Sequence, residues 1–550
     1  MATTAQTIGG KARLFPSIDA QTVIANTVRQ IGGKIEMQWD GITWTDESDY
    51  LLTAKGNIKM SGELGEGIAS TADFELDNTT DRFLPENTDS PIYEYLLPRT
   101  KIRYSVKIGN YYFKLFTGYI KGISPDRKSG IVDFRCFDET ELVLNEPAPR
   151  DAAYINKRAD ELITILAQSA GLTSSQYDIE QSNHTISAAF FGDRYIWPLM
   201  GEIAVSERGR VFFDYDGKFK FWAQEHIHKQ QNPIFTLTRN DWLKNLNFSV
   251  EEQAIKNTIT VKARPRISAG IKVVWTNGDV EILNQYSDTL VWIPAHDQQQ
   301  AYIDITDDYG ELPCTNYIQP IPYTDFTAST AADGITNADL SPAIDCTASV
   351  QITTFIDYAC SVFIVVNNYS EYDIFLTKFQ IRANPLPIWK WIKVIQRDET
   401  SIDRYGEQKI DLENDFIDSE SFALETAQVE LDRWKNAKNS FKGEILGIPH
   451  IKCGDVLSIE IRNSVYENYM INEIDWEVDE QGFIQTLGFV NIINIPTRQT
   501  VNAYARISGT TIQSISALAY IQPRKTITAK GNIKNNINKI VNAKGRIIKT

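Results

Sequence analysis

The residues that could carry chemistry are few and scattered. The 550 residues contain five histidines, of which only His226 and His228 lie close together. Residues i and i+2 face one side of a strand and could bind a metal ion, but no third ligand follows at a suitable spacing, which favours surface or structural roles. The sequence has no HExxH motif, no GxSxG motif and no phosphate-binding loop. We therefore expect no catalytic residues, no metal site, no cofactor and no enzymatic activity.

Two further patterns have both a chemical and a structural interpretation. Residues 304–311 (DITDDYGE) resemble a calcium loop only superficially, since Gly310 is misplaced, and a solvated loop between strands is the simpler interpretation. Trp389 and Trp391 are spaced to lie on one side of a strand, the geometry of a sugar-stacking face. Indole side chains are usually buried, however, so a core or interdomain contact is the competing interpretation.

Length and composition indicate several domains that are mainly β. The chain is long enough for more than one core, and 42% of its residues are hydrophobic and 11% aromatic. Isoleucine, valine, threonine and tyrosine recur in short runs, which favours strands. No apolar run approaches the length of a membrane span and no leader is evident, so we expect a soluble protein made in the cytosol, without a signal peptide or a membrane span.

The first part of the sequence predicts a β domain followed by a mixed domain. Short strands separated by turns predict a first barrel-like β domain over residues 34–149. Residues 150–249 predict a small α+β domain, since an apolar stripe of helical period runs from Ala159 to Ala170. The dipeptide Asp216-Gly217 then predicts a hairpin. Residues 250–266 are predicted to form a connecting strand.

The second part predicts an insertion and a return to the first architecture. Residues 267–395 are β-rich and differ in character from the segments on either side, which indicates an inserted β-sandwich. Residues 396–495 predict a second barrel-like β domain with one long helix over 419–438, whose apolar residues share one face.

Both ends of the chain are predicted to be assembly elements. The heptapeptide TAKGNIK occurs at residues 53–59 and again at 528–534. The second copy belongs to a series of short strand repeats over 496–550, while 1–33 predicts a looser strand arm. Strict alternation with small inward residues predicts strands that must stack on other strands. The predicted inward-facing assembly residues are Val501, Ala503, Ala505, Ile507, Ile527, Ala529, Gly531, Ile533, Val541, Ala543, Gly545 and Ile547.

The charge distribution leaves other interpretations of the tail open. The chain has a net charge of -16, yet it contains no acidic residue from Gln481 onwards. An acidic body with a basic tail can assemble head to tail or meet an anionic partner. The basic residues lack the interleaved aromatics that a base-stacking surface needs, which argues against nucleic-acid binding. A disordered polar tail is the remaining alternative.

The order of the parts resembles that of bacteriophage tail hub proteins. The resemblance spans about residues 34–493 and rests on several segments in the right order. These are FTGYIKGISPDRKSGIVDFRCFDETELVL (116–144), ADELITILAQSAGL (159–172), VFFDYDGKFKF (211–221), VEEQAIKNTITV (250–261), SIDRYGEQKIDLENDFIDSESFALETAQVEL (401–431) and IKCGDVLSIEI (451–461).

This resemblance implies a structural protein of the virion, at the tail tip or baseplate. It implies a homotrimer whose two barrel-like domains per chain make a pseudo-sixfold ring on the tail tube or a distal tail protein, and which docks a spike, receptor-binding or fibre protein. Nucleic acid would only pass through the lumen. The alternative is a carbohydrate-binding adhesin or tail-associated glycosidase that acts through the inserted β-sandwich.

Overall fold

The computed structural model describes residues 29–60, 69–223, 232–243, 255–277, 292–388, 391–435 and 440–491, together with Ile24, His226 and six short terminal strands. The chain divides into two compact units, Met1–Asn491 and Ile492–Thr550. Two of the terminal strands, β1 (Ala5–Ile8) and β2 (Lys11–Leu14), pair antiparallel.

Period-two alternation builds the first β region. In Thr71–Asp77 and Lys101–Ile108, every second side chain is buried and the ones between are half-exposed, as expected for strands with one face on a core. The strands are β3 (Ile31–Gln38), β4 (Thr45–Asp46), β5 (Leu51–Lys59), β6 (Thr71–Asp77), β7 (Lys101–Ile108), β8 (Tyr111–Asp126) and β9 (Ile131–Phe137), followed by a short helix, Thr140–Val143.

The α+β region folds around two helices, Ala159–Ser169 and Ile196–Ser206. The apolar stripe of the first helix is buried, as its period predicts. A hairpin turns at Gly217, whose φ of 71° suits glycine. The strands are β10 (Ala153–Arg158), β11 (Tyr177–Ile179), β12 (Thr185–Phe190), β13 (Arg210–Phe213) and β14 (Phe219–Trp222), and β15 (Phe235–Leu237) and β16 (Thr258–Ala263) follow.

The described part of the insertion contains two sheets that share one apolar core, together with a small two-stranded hairpin. Its strands are β17 (Lys272–Thr276), β18 (Trp292–Ile293), β19 (Gln298–Asp304), β20 (Thr306–Asp307), β21 (Gly310–Glu311), β22 (Cys314–Ile318), β23 (Phe326–Ser329), β24 (Val350–Asp357), β25 (Ser361–Asn368) and β26 (Ile374–Pro385). One sheet is built around β26 and the other has the order β19-β25-β24. Phe379 of the first sheet and Ile364 of the second belong to the same buried cluster, which is the predicted sandwich.

The chain then returns through two helices and the last long strands. The long helix Glu420–Trp434 is capped by Ser419, whose hydroxyl accepts from the backbone N–H of Phe422 at 3.3 Å. The preceding helix is Glu399–Tyr405. The strands are β27 (Ile392–Arg397), β28 (Lys409–Glu413), β29 (Ser440–Leu446), β30 (Val456–Arg462), β31 (Val465–Asp479) and β32 (Gly482–Asn491), and the terminal unit adds β33 (Gln499–Tyr504), β34 (Ser514–Ala519), β35 (Thr528–Lys530) and β36 (Asn542–Lys544).

The two β regions share a single sheet of 12 strands. Its main path runs β15-β30-β31-β5-β6-β9-β8-β7-β3-β4, with β32 on β31 and β29 on β32. The long strand β31 pairs with β32 along one edge, and with β30 and then β5 along the other. The first and second β regions are therefore joined by backbone hydrogen bonds.

The mainly β, multidomain class predicted from the sequence is confirmed, with one correction to its detail. Across the described residues the strand order does not close on itself, so the two expected barrel-like domains are parts of one open sheet. The physical reason is the antiparallel ladder between β5 and β31, which uses the strand edge that a separate barrel would have needed for closure. No helix in the described ranges is long and apolar enough to cross a membrane.

Trp476 fixes the joint between the two β regions. It lies directly opposite Gly56 in the ladder and its ring stacks on Tyr104 of β7, with centroids 5.3 Å apart and an interplanar angle of 7°. Trp476 and Tyr104 are both buried. A Cβ at Gly56 would lie 2.6 Å from the indole ring, so only glycine leaves room for Trp476 at this position.

We predict that Trp476→Ala lowers the free energy of unfolding of the 12-stranded sheet by about 3–5 kcal/mol, because it opens a cavity against Tyr104. Denaturant unfolding measured by circular dichroism checks the value. The matched control is Trp292→Ala, since Trp292 is 47% exposed on a short strand. Equal losses in the two variants would contradict the assigned role of Trp476.

Candidate functional site

The insertion leaves and re-enters the body through neighbouring strands. Ala263 at the end of β16 is paired with Ile392 at the start of β27. β28 lies parallel to β16 on its other side, and the long helix packs on this three-stranded sheet through Ala427 and Leu431. Because both stems are held in one sheet, the insertion presents its side chains from a fixed base.

The outer face of the β19-β25-β24 sheet carries a row of two aromatic side chains and one aliphatic side chain, which we call the aromatic row. Tyr302, Phe363 and Ile356 lie directly opposite one another across the three strands. The rings of Tyr302 and Phe363 are 4.6 Å apart, yet Tyr302 remains 70% exposed. Amide side chains flank the row, including Gln300 of β19. Aromatic faces beside amide donors and acceptors can stack on and hydrogen-bond to a sugar ring.

Sequence reasoning missed this row, although a signal was present. The segments QQQAYID and SVFIVVNN alternate strictly, with Ala301, Ile303, Val362 and Ile364 buried. The aromatics between those positions must therefore face outward.

The predicted tryptophan pair is only partly described. Trp389 lies outside the described residues, and Trp391 is 61% exposed. The guanidinium of Arg264 lies over the ring of Trp391 at 5.1 Å, and it pairs with both carboxylate oxygens of Asp415 at 3.2 Å. One face of Trp391 is thus engaged by a cation. The role of the pair in sugar stacking stays a prediction.

The other aromatics of the insertion differ in burial. Trp275 belongs to the core of the sandwich, where its ring packs edge-on against Phe379 with centroids 6.2 Å apart. Trp292 is half-exposed on β18. The insertion therefore does not present its described tryptophans on one common face.

Of the two histidines that are close in sequence, only His226 lies within the described residues. His226 Nδ1 lies 2.7 Å from Glu180 Oε1, and its ring stacks on Trp222 with centroids 4.2 Å apart. His228 lies outside the described residues. No group of three or more histidine, cysteine, aspartate or glutamate side chains suited to a metal ion occurs among the described residues.

The acidic stretch folds as the small β20-β21 hairpin rather than as a cation loop. Asp307 Oδ1 accepts from the backbone N–H of Tyr309 at 2.8 Å, and Glu311 forms an ion pair with Arg150. Asp304 lies on the outer face of β19 instead. These carboxylates serve the turn, an ion pair and the sheet surface respectively.

The terminal strand repeats pair with one another in the described residues. β33 and β34 are antiparallel, with Val501 opposite Ala517 and Ala503 opposite Ile515. β35 and β36 are also antiparallel, with Ala529 opposite Ala543. The other predicted assembly residues lie outside the described residues: Ala505, Ile507, Ile527, Gly531, Ile533, Val541, Gly545 and Ile547. The assembly role of the repeats stays a prediction.

Comparison with known proteins gives only distant structural likenesses. No family model matches the chain, and no curated protein matches it. The 43 kDa tail protein of prophage MuSo2 from Shewanella oneidensis is similar at 10% identity, covering 84% of this chain and 98% of that chain, with a TM-score of 0.44.

Two further solved structures are similar at the same level. A tail protein from Neisseria meningitidis has 9% identity, coverage of 84% of this chain and 96% of that chain, and a TM-score of 0.43. A component of the type VI secretion system of E. coli, described as similar to the T4 bacteriophage tail proteins gp27 and gp5, has 8% identity, coverage of 88% and 86%, and a TM-score of 0.33.

We predict that Tyr302→Ala changes the free energy of unfolding by at most about 1 kcal/mol, because only a cross-strand contact with Phe363 is lost. The neighbouring variant Ile303→Ala should cost about 2–5 kcal/mol, because Ile303 is buried in the sandwich core. Denaturant unfolding of both variants measures the difference. A loss with Tyr302→Ala as large as that with Ile303→Ala would show that the row is part of a core rather than a free face.

Proposed function

We propose that this chain is a structural component of a phage tail or a related injection device, and that it acts as a hub at the tail tip or baseplate of the virion. The resemblance of residues 34–493 to tail hub proteins supports this proposal. The segments that carry the resemblance also fold as regular elements. Residues 116–144 form most of β8, a turn, β9 and a short helix, and residues 211–221 form a hairpin.

The single observation that carries the proposal is the sheet shared by the two β regions. A hub that joins a trimer to a hexameric tube needs two β regions in each chain, held at a fixed spacing. Here the ladder between β5 and β31 holds them in one sheet of 12 strands. Three such chains in a closed ring would present six β regions, which is how the threefold and sixfold symmetries would match.

The sheet also offers edges through which assembly could proceed. Its main path ends at β4 on one side and at β15 on the other. Strand edges and loops are the usual means by which β proteins add a partner. In this proposal the partners are the tail tube or a distal tail protein on one side and a spike, receptor-binding or fibre protein on the other. The role is mechanical and calls for no catalytic step.

A second candidate function is favoured by the aromatic row on the insertion. The neighbouring rings of the exposed Tyr302 and the half-buried Phe363, beside the exposed Gln300, have the chemistry of a sugar-binding face. The alternative is therefore a carbohydrate-binding adhesin or a tail-associated glycosidase that acts through the inserted sandwich. The two candidates differ in what they require of the chain, namely a ring in the first case and a glycan in the second.

The hub proposal predicts a homotrimer in solution, since a single chain supplies only two of the six β regions of the ring. Light scattering coupled to size exclusion should give three times the chain mass, and negative-stain images should show threefold rings with no glycan added. A monomer that persists at high protein concentration would overturn the hub proposal.

The second candidate predicts a glycan-array signal from the full chain that falls at least about tenfold, or about 1.4 kcal/mol, with Tyr302→Ala. Trp389→Ala and Trp391→Ala test the predicted pair in the same assay. The matched control is Tyr112→Ala, an exposed tyrosine of the first β region. No signal, or equal signals from Tyr302→Ala and Tyr112→Ala, would remove the row as a sugar site.

A further inference from the structure

A pocket lies where the α+β region, the end of β16 and the insertion meet. Its cavity volume is about 360 Å³. The loop after β12 supplies Arg194, the chain after β16 supplies Arg264 and Arg266, and Tyr309 reaches it from the β20-β21 hairpin. We call it the arginine pocket, after Arg194, Arg264 and Arg266.

Each of the three guanidinium groups is held against an aromatic ring. The distances to the ring centroids are 5.4 Å for Arg194 over Phe416, 5.1 Å for Arg264 over Trp391 and 5.8 Å for Arg266 over Phe190. A guanidinium over a ring face is attracted by the ring and can still donate hydrogen bonds through its N–H groups. The three cations are therefore positioned by packing as well as by charge.

The three arginines differ in how their charge is compensated. Arg194 pairs with Glu202 at 2.7 Å and Arg264 pairs with Asp415 at 3.2 Å. Arg266 forms no ion pair with any described residue, and its one hydrogen bond there is from Nη1 to the carbonyl oxygen of Leu386 at 3.0 Å. Burial lowers the pKa of Arg266, which reflects the cost of keeping this cation away from water.

The carboxylates that line the pocket form their ion pairs with arginines other than Arg266. Asp193 and Asp415 line the cavity with the three arginines. Asp415 is already paired with Arg264, and Asp193 lies 3.0 Å from Arg150. Asp307 and Asp415 attract the Arg266 cation from beyond ion-pair distance, but Arg266 is the one arginine of the pocket without an ion pair to a described residue.

We propose that the arginine pocket binds an oxyanion, either a carboxylate or a phosphate group, with the guanidinium of Arg266 as the main donor. A guanidinium presents parallel N–H groups that match two oxygens of such an anion. Arg194 and Arg264 add to the attraction, and their own partners keep them in place. No residue of the pocket undergoes a covalent change.

The size and walls of the pocket fit more than a bare ion. A cavity of this volume is at the lower end of the range for small-ligand sites, about 300–1,000 Å³. Phe191 and Ile388 form apolar parts of the wall, and Tyr309 is an exposed residue of the lining. The ligand class is thus a small molecule, or a single residue of a larger one, that bears a carboxylate or a phosphate.

Calorimetric titration of the full chain with inorganic phosphate, and separately with malonate, tests the proposal at constant ionic strength. We expect saturable binding of at least one probe with one site per chain and a Kd below about 1 mM. Tighter binding of phosphate or of malonate tells which oxyanion the pocket prefers. Arg266→Gln should raise the Kd at least about tenfold, because it removes the guanidinium that has no ion-pair partner among the described residues.

The matched control is Lys262→Gln, which removes a positive charge from β16 outside the pocket, where Lys262 pairs with Asp411 and Glu413. Its Kd should equal that of the unaltered chain. Failure of the unaltered chain to bind either probe, or equal affinities in Arg266→Gln and Lys262→Gln, would overturn the proposal. If Arg266→Gln fails to fold, Arg266→Lys replaces it as the test, because lysine keeps the positive charge but lacks the parallel N–H donors of a guanidinium. An unchanged Kd in Arg266→Lys would equally overturn the proposal.

Discussion

The antiparallel ladder between β5 and β31 is the constraint on which the rest of this fold depends. It brings a strand near the start of the chain beside one near its end, and Trp476 packs across the joint on Tyr104. Bringing these two strands together costs conformational entropy in the long chain between them. The joint must therefore be stabilised by burial as well as by backbone hydrogen bonds. Gly56 supplies the space that this packing needs.

The insertion is a separate addition to the body, because the chain leaves and re-enters the body through neighbouring strands. Its two stems are paired at Ala263 and Ile392, so the sandwich has its own core and adds to the body without interrupting the 12-stranded sheet. The exposed Tyr302 and the half-buried cation Arg266 both occur here, on the outer sheet and at the base of the insertion respectively. In the proposed hub the body would carry the mechanical connection while the insertion and its base would carry recognition.

Local features of the fold were predictable from the sequence, and pairings distant in the chain were not. The buried stripe of Ala159–Ser169 and the hairpin at Gly217 follow from period and turn chemistry. The predicted helix 419–438 is observed as Glu420–Trp434, with Ser419 as its cap. Alternation in β5 shows which side chains face inward but not which strand lies beside them, so the open sheet was predicted as two barrels. The arginine pocket was missed for the same reason, since Arg194 and Arg266 meet only in the folded chain.

Hydrogen exchange of the backbone amides in β5 and β31 tests most directly whether the two β regions form one structural body. If the ladder joins them, amides of residues 54–59 and 473–478 should exchange with the same opening free energy, close to that of the whole sheet. Exchange of one strand at a rate orders of magnitude faster than its partner would show that the two regions open independently, and it would contradict the shared sheet on which the proposed hub rests.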